Sequence, residues 1–190
     1  MRTIKLNIRK TSLLIATLGT LFLSSCGGNL SDDKAGFQKI ESELKSKFGD
    51  DAYYTNISIA YTKQLGLLLD AAATEDPSSL KLEEWNWVKN DWTQKSEITL
   101  EITGGKPKDF MFILNDQISI SKMGELLEVS KQKLKEEKDI EAILSLARID
   151  APDNGDKSKM AYNLTLEPEN GGTSFYFTYD FDGNLKDFTY

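Results

Sequence analysis

Residues 160–190 alternate apolar and polar side chains in three short runs that are separated by turn residues. A period of two is typical of β-strands that bury one face and expose the other. Turns are predicted at Asn170-Gly171-Gly172 and at Asp182-Gly183, since Asp-Gly between alternating runs is the strongest short signal for a hairpin. The C-terminal part is therefore predicted to form three antiparallel strands: Met160–Leu166, Thr173–Phe181 and Leu185–Tyr190.

The first part of the chain has a helix pattern that is followed by strand patterns. Apolar residues at spacings of three and four predict an amphipathic helix over residues 35–49. Strands are predicted at Tyr53–Thr62 and Leu65–Ala73, and a hairpin across Leu80–Thr103. This hairpin is expected to gather one set of apolar residues on a single face, with a bulge near Glu83-Glu84 where Leu80 and Leu82 join it. The set is Trp85, Trp87, Trp92, Ile98 and Leu100.

A second helix is predicted at Lys122–Lys135 with Ser121 as its N-cap, followed by a shorter helix within Asp139–Ala147. The order helix, strands and aromatic hairpin therefore occurs twice. It predicts an α+β fold with antiparallel sheet or sheets and helices packed on one face. The fold is either a degenerate tandem repeat, with halves 36–114 and 115–190, or one domain with a single meander. In outline it resembles envelope domains of the PepSY type and tandem inhibitors of the β-lactamase-inhibitor type, but no motif assigns it to either family.

The N-terminus carries the pattern of a secretory signal. Arg2, Lys5, Arg9 and Lys10 precede an almost wholly apolar run, which is too short to span a bilayer. The run ends in Leu23-Ser24-Ser25-Cys26, which resembles the lipobox of bacterial lipoproteins. The resemblance implies that residues 1–25 are removed and that Cys26 is lipidated and anchors the protein to a membrane. The alternative is an ordinary exported protein whose cleavage site lies near a cysteine.

The residues after Cys26 are predicted to be a flexible lipidated tether over 26–35, with the α+β domain at 36–190. Gly27 stands where an aspartate would resemble an inner-membrane retention signal, so we expect the outer membrane. Ser31, Asp32 and Asp33 resemble acidic signals that send lipoproteins to the cell surface. The alternative for these three residues is a plain solvated linker that faces the periplasm.

Composition limits the classes of function. Four of the 23 basic residues and none of the 30 acidic ones lie within residues 1–25, so 19 basic and 30 acidic residues remain, a net charge of about −11. Such a surface repels nucleic acid, and no nucleic-acid partner is expected. The chain has no histidine, and Cys26 is its one cysteine. We therefore expect no catalytic residues, because triads with histidine are excluded and only carboxylates, lysine or tyrosine are left.

No metal or other cofactor is expected. Asp180, Asp182 and Asn184 alternate as in a calcium loop, but the glycine stands at the fourth position instead of the sixth, which favours a simple turn. Asp150, Asp153 and Asp156 lie in or beside a loop rich in Pro, Gly and Asp, where a solvated loop is favoured over a cation site.

Aromatic residues in the two hairpins are the candidates for a binding surface. Core packing is the default interpretation for them, and an exposed platform for a glycan or peptide is the alternative. They are Trp85, Trp87, Trp92, Phe175, Phe177, Tyr179, Phe188 and Tyr190. The expected function is a membrane-anchored binding or scaffolding module whose partner is an envelope protein, peptide or glycan. The alternatives are an inhibitor or folding helper for an envelope enzyme, or an enzyme built from carboxylates.

Overall fold

A computed structural model describes residues 29–190, so the predicted signal segment and Cys26 lie outside the described residues. The described chain has helices α1 (Lys34–Phe48) and α2 (Ile120–Lys138). No helix in this part of the chain has the length and apolar character needed to cross a membrane. The strands are β1 (Tyr53–Thr62), β2 (Gly66–Thr74), β3 (Lys81–Val88), β4 (Asp91–Thr99), β5 (Phe112–Ile113), β6 (Ala142–Asp150), β7 (Tyr162–Pro168), β8 (Phe175–Tyr179) and β9 (Leu185–Thr189).

The strands form one antiparallel sheet in the order β4-β3-β2-β1-β6-β7-β8-β9, and β5 pairs with the start of β1. Each helix is followed by a four-stranded meander, and the two meanders join where β1 pairs with β6. Apolar residues of both helices and of one sheet face form a single core cluster. The predicted α+β class, with an antiparallel sheet and helices packed on one face, is confirmed.

Both helices begin at side chains that cap them. Asp33 accepts a hydrogen bond from Gly36 N at 2.8 Å and starts α1. Ser119, and not the predicted Ser121, accepts a hydrogen bond from Lys122 N and starts α2 two residues earlier than expected. The helices pack so closely that a Cβ on Gly124 would lie 2.6 Å from Cβ of Phe37.

The predicted helix within Asp139–Ala147 is wrong, because this segment forms strand β6. Asp139 adopts a left-handed conformation (φ 53°) and ends α2. The following residues pair with β1 on one side and with β7 on the other. A bulge at Ser145 breaks the alternation between Leu144 and Leu146, so the apolar spacing resembles that of a helix.

The hairpin of β3 and β4 contains a bulge, but on the other strand from the one we expected. Glu84 faces Ser96 and Trp85 faces Gln94, which leaves Lys95 as the extra residue. The bulge turns Ile98 and Leu100 away from the helices, so they do not share a face with the tryptophans. They pack with Leu82 in a second, smaller cluster on the opposite face.

The C-terminal strands are confirmed, with the paired aromatic residues where the pattern predicts them. Phe177 faces Phe188, and their ring centroids are 4.6 Å apart. The connecting turn is wider than two residues, because Asp180 N donates to Asn184 O and Gly183 N donates to Asp180 O. Tyr176 and Thr178 lie on the face away from the helices, as expected.

Candidate functional site

The sheet has one face under the two helices and one face that no helix of the described chain covers. We call the second one the open face. Strand register shows which residues belong to the open face. Ile57 and Ile59 are fully buried towards the helices, so Ser58 between them points to the open face. The residues paired with Ser58 on the neighbouring strands point the same way. The open face is the candidate site because its side chains, apart from the small cluster around Leu82, do not belong to the core under the helices.

A row of polar residues crosses the open face from one edge of the sheet to the other. Each residue in it is the register partner of the next, so one polar side chain comes from each of the eight strands. In sheet order the row is Thr93, Asn86, Asp70, Ser58, Arg148, Asn163, Thr178 and Asp187. We refer to it as the polar row.

Arg148 is at the centre of the polar row. It is the one arginine beyond residue 10, and 46% of its side chain is exposed. Its Nη2 donates to Asp150 Oδ1 at 2.6 Å, and Nδ2 of Asn56 donates to the same oxygen at 2.6 Å. These bonds hold the guanidinium group in place on the strand pair that joins the two meanders, so a ligand would meet a preorganised arginine.

A second polar cluster lies on the other side of Ser58. Lys95 Nζ donates to Asp70 Oδ1 at 2.9 Å, and this hydrogen bond raises the pKa of Lys95. Ser96 donates to Glu84 on the neighbouring strand. The bulge therefore has a role here, since it brings both Lys95 and Ser96 to the open face.

An apolar row runs parallel to the polar row. Val88, Leu68, Ala60 and Leu146 are successive register partners on β3, β2, β1 and β6, and each is half-buried. On β8, Tyr176 continues this side of the open face with 52% of its surface exposed. The open face thus combines fixed polar groups with partly exposed aliphatic and aromatic surface.

Two loops border the open face at one end of the sheet. Phe110 of the loop 100–111 packs beside Gly155 of the loop 151–161, at 3.6 Å from the position that a Cβ on this glycine would take. Depressions of about 480 and 450 Å³ lie beside these loops and share Thr55 in their walls. A larger depression of about 820 Å³ lies elsewhere, beside Glu41, whose carboxylate already binds the start of α2.

The carboxyl groups of the described chain that depart from their ordinary pKa do so in one direction. Wherever the pKa of one of its carboxyl groups departs from the ordinary value, the pKa is lowered, as at Asp180, where hydrogen bonds from Asn184 lower it. Residues 29–190 also contain no group of three potential metal ligands.

The aromatic residues predicted as a possible binding surface lie on the helix-covered face. Trp87, Phe175, Phe177 and Tyr179 are at most 3% exposed and belong to the core, so they form no platform. Trp85 and Trp92 are half-buried and pack edge-on against Phe48 of α1. Phe188 is half-buried, and Tyr190 is 69% exposed with Lys138 Nζ 3.8 Å from its ring centroid.

The three residues predicted as an export signal make contacts with the domain. Asp33 caps α1 and accepts a hydrogen bond from Ser31 Oγ. Asp32 accepts from Leu144 N at 2.8 Å and pairs with Lys131 at 2.9 Å. The predicted flexible tether therefore differs from the structure over residues 29–35, where side chains and a helix hold the chain on the domain.

The open face was missed in the sequence, because β6 was predicted as a helix and Arg148 was therefore not placed on a strand. The signal that could have found it is the isolation of Arg148 in a chain whose other cations, after the first ten residues, are lysines.

Comparison of this chain with protein-family models, curated proteins and solved structures gave no match.

Proposed function

We propose that this chain is a lipoprotein, anchored to the outer membrane through Cys26, whose domain binds or scaffolds an envelope protein through the open face. The lipobox order of residues supports the anchor. The observation that carries the binding role is the polar row, with Arg148 at its centre and the apolar row beside it. An inhibitor or a folding helper of an envelope enzyme would use the same surface.

The open face is close in size to one side of a protein interface. Seven interstrand spacings of about 4.8 Å give it a width of roughly 34 Å, and five residues of strand give a length of roughly 17 Å. The resulting area of about 600 Å² approaches the ~800 Å² that each partner contributes to a standard interface. The depressions on this face are open to solvent and lined by both polar and apolar groups, whereas sites for small molecules enclose most of their ligand.

The composition of the open face also favours a protein partner. Arginine and tyrosine are among the residues enriched at the energetic centres of interfaces, and both Arg148 and Tyr176 are exposed on this face. The bonds from Arg148 and Asn56 to Asp150 fix these side chains before binding, which reduces the entropy lost on association.

Crosslinking from matched single cysteines tests this proposal. Tyr176 on the open face and Val129 on α2 are 52% and 53% exposed, so a reagent reaches them equally. We would introduce Tyr176→Cys or Val129→Cys into the full chain, attach a photoreactive crosslinker in cells, and analyse the adducts on a denaturing gel. A lipidated Cys26 has no free thiol to compete for the reagent.

The expected result is a discrete adduct from position 176 that is lost when Arg148→Glu is added, and none from position 129. Adducts from position 129 alone, or equal adducts from both positions, would overturn the assignment of the open face. Circular dichroism of each variant shows whether the fold is kept, so that a lost adduct is attributed to the surface and not to unfolding.

A further inference from the structure

The segment Asn29–Asp33, here called the clasp, is bound to the domain along its whole length. At its start, Asn29 Nδ2 donates to Gln64 O at 3.0 Å, in the turn between β1 and β2. Next, Leu67 N donates to Leu30 O at 3.1 Å, and Leu30 packs against the core. The chain is thus attached to the β1–β2 turn several residues before α1 begins.

Asp32 fixes the other end of the clasp to the second half of the domain. Its carboxylate accepts from the backbone of Leu144 in β6 and pairs with Lys131 of α2, and Lys131 also donates to the backbone oxygen of Asp32. The two side chains are only 13% and 22% exposed. Partly buried ion pairs with added hydrogen bonds are screened less by salt than exposed ones.

Two glycines provide the space that the clasp occupies. A Cβ on Gly36 would lie 2.2 Å from the backbone oxygen of Ser31. A Cβ on Gly66, which has φ of 76°, would lie 2.6 Å from the backbone oxygen of Leu30. Any other residue at these positions would displace the clasp backbone. The two glycines therefore provide a site in the domain into which this segment fits.

The clasp leaves very little chain between the domain and the predicted anchor. Cys26 precedes Asn29 by three residues. Three residues of fully extended chain span at most about 11 Å. A lipid on Cys26 therefore cannot be farther than that from Asn29, and the β1–β2 turn that holds Asn29 is kept near the lipid headgroups.

Strand register shows which parts of the domain share that end. The turns at Lys63–Gly66, Lys89–Asn90 and Glu169–Gly172 lie at the end of the sheet that holds Asn29. Lys63 pairs with Glu169 there, and Leu65 is exposed at the tip of its turn. The loops of the opposite end are more acidic, because nine carboxylates outnumber Lys106, Lys108, Lys157 and Lys159 there: Asp50, Asp51, Glu75, Asp76, Asp109, Asp153, Asp156, Asp180 and Asp182. At the end that holds Asn29, Asp139, Glu141 and Glu169 stand beside Lys63 and Lys89.

We infer that the domain rests on the surface of its own membrane in one orientation, with the Lys63–Gly66 turn against the lipid headgroups and the acidic end away from them. This inference rests on the proposed lipidation of Cys26. Repulsion between the acidic end and anionic lipids favours the same orientation. The strands then run away from the membrane, so the open face points sideways, towards proteins in or on the same bilayer.

Fluorescence quenching from the bilayer surface tests the orientation. The full lipidated chain would be reconstituted into vesicles of phosphatidylethanolamine and phosphatidylglycerol that contain lipids with a nitroxide on the headgroup. A nitrobenzoxadiazole label would be attached at Leu65→Cys, near the membrane in this proposal, or at Ser79→Cys, an exposed residue at the opposite end. A third protein combines Leu65→Cys with a long Gly/Ser insertion between Gly27 and Gly28.

We expect severalfold stronger quenching at position 65 than at position 79, and loss of that difference with the insertion. Equal quenching at the two positions in protein that floats with the vesicles would overturn the orientation and leave the lipid anchor intact. An unchanged difference after the insertion would overturn the role of the short connection. Protein that does not float with the vesicles would overturn the proposed anchor itself, and with it the inference.

Discussion

Glu41 of α1 and Lys131 of α2 make the same kind of contact in opposite directions, each from the middle of one helix to the start of the other. Glu41 Oε2 accepts from Ser121 N at 2.7 Å and from Ser119 Oγ at 2.9 Å. Lys131 Nζ binds both the carboxylate and the backbone oxygen of Asp32. The helices are thus antiparallel and hold each other by their first turns.

The two residues also lie in the two helices that each precede a four-stranded meander. Glu41 and Lys131 are 90 residues apart in the sequence, and so are Ser58 and Arg148, which face each other where the two meanders join. The helix contact and the central strand pair therefore share one sequence offset. The charges differ because Glu41 meets the N–H groups of a helix start, whereas Lys131 meets a carboxylate and a carbonyl.

Replacing Glu41 with glutamine is expected to destabilise the domain at neutral pH by about 1–3 kcal/mol, since charge-assisted hydrogen bonds to the start of α2 are weakened. Burial alone would raise the pKa of Glu41, but the hydrogen bonds from Lys45, Ser121 and Ser119 outweigh it and lower the pKa to about 2. The stabilisation is present above the ordinary pKa near 4.5 and is lost as the pH falls towards 2.

Denaturant unfolding of wild type and Glu41→Gln between pH 7 and pH 2 measures this effect. The difference in unfolding free energy is expected to be largest above pH 5 and to vanish near pH 2. Glu43→Gln is the matched control, because among residues 29–190 Glu43 bonds only Lys39 on the same helix, and the substitution should change stability little at any pH. A Glu41→Gln effect independent of pH would contradict the assigned role.

Elements with a local sequence pattern were predicted correctly. The prediction failed where pairing between distant strands determines the secondary structure. The stripe Phe37, Ile40, Leu44 and Phe48 is enough to identify α1, and all four residues are buried. The register of Phe177 with Phe188 follows from alternation and a short turn. In β6, by contrast, the bulge at Ser145 hides the alternation, and the strand exists because β1 and β7 pair with it on both sides.

The candidate site was missed for the same reason. Arg148 and Asn56 both bond Asp150, and they meet there only because of the register of β1 and β6. No local sequence pattern predicts that register. The clasp was missed because Gly-Asn-Leu-Ser-Asp-Asp has the composition of a linker. Its ordered conformation depends on contacts with Lys131 and Leu144, both about a hundred residues away in the sequence.

The cap of α1 is predicted to depend on the side chain of Asp33 and not on its charge. Asp33→Ala removes the acceptor for Gly36 N and should cost ~1 kcal/mol, whereas Asp33→Asn keeps an acceptor and should cost much less. Thermal unfolding compares the two variants. An equal loss in both would show that the carboxylate charge is the important property.

Asp33→Asn also separates stability from export. If Asp33 acts as part of an acidic export signal, this variant should fold normally and yet become protected from protease added to whole cells. Equal digestion of wild type and variant would remove the export role of the Asp33 carboxylate. Asp33→Ala is unsuitable for this comparison, since it alters folding as well.

Two buried tyrosines are expected to respond oppositely to loss of their hydroxyl groups. The Tyr54 hydroxyl is buried and has no hydrogen-bond partner among residues 29–190, so Tyr54→Phe should be neutral or stabilise by up to about 1 kcal/mol. The Tyr179 hydroxyl lies 2.8 Å from Ser130 Oγ, so Tyr179→Phe should destabilise by about 1 kcal/mol. Thermal unfolding tests both, and a similar loss in the two variants would reveal a partner for Tyr54, such as an internal water.

Cys26→Ser is predicted to abolish palmitate labelling and to move the protein from the membrane fraction to the soluble fraction. The physical reason is that the acyl chains are the proposed attachment, while the excess of acidic residues opposes binding to anionic lipid. Ser25→Ala is the control, because it keeps a small residue before the cysteine. Retention of Cys26→Ser in the membrane fraction after a salt wash would contradict the lipoprotein assignment.

The last prediction concerns Gly36, which lies within α1 and borders the clasp. Alanine is favoured over glycine in helices by up to about 1 kcal/mol, so this substitution would ordinarily stabilise. Here the added Cβ would lie 2.2 Å from Ser31 O and 2.8 Å from a methyl group of Leu67. We therefore expect Gly36→Ala to destabilise by about 1–3 kcal/mol, as overpacking does in well-packed cores.

Denaturant unfolding and hydrogen exchange together decide this prediction. Ser46→Ala, at an exposed position of the same helix, is the control and should be neutral or slightly stabilising. Exchange at the amide of Leu67, which donates to Leu30, should become faster in Gly36→Ala and stay unchanged in Ser46→Ala, because the clasp is displaced only in the first variant. If Gly36→Ala instead stabilises the domain as Ser46→Ala does, the clasp does not pass beside α1 at the distance described, and the short connection between Cys26 and the domain loses its support.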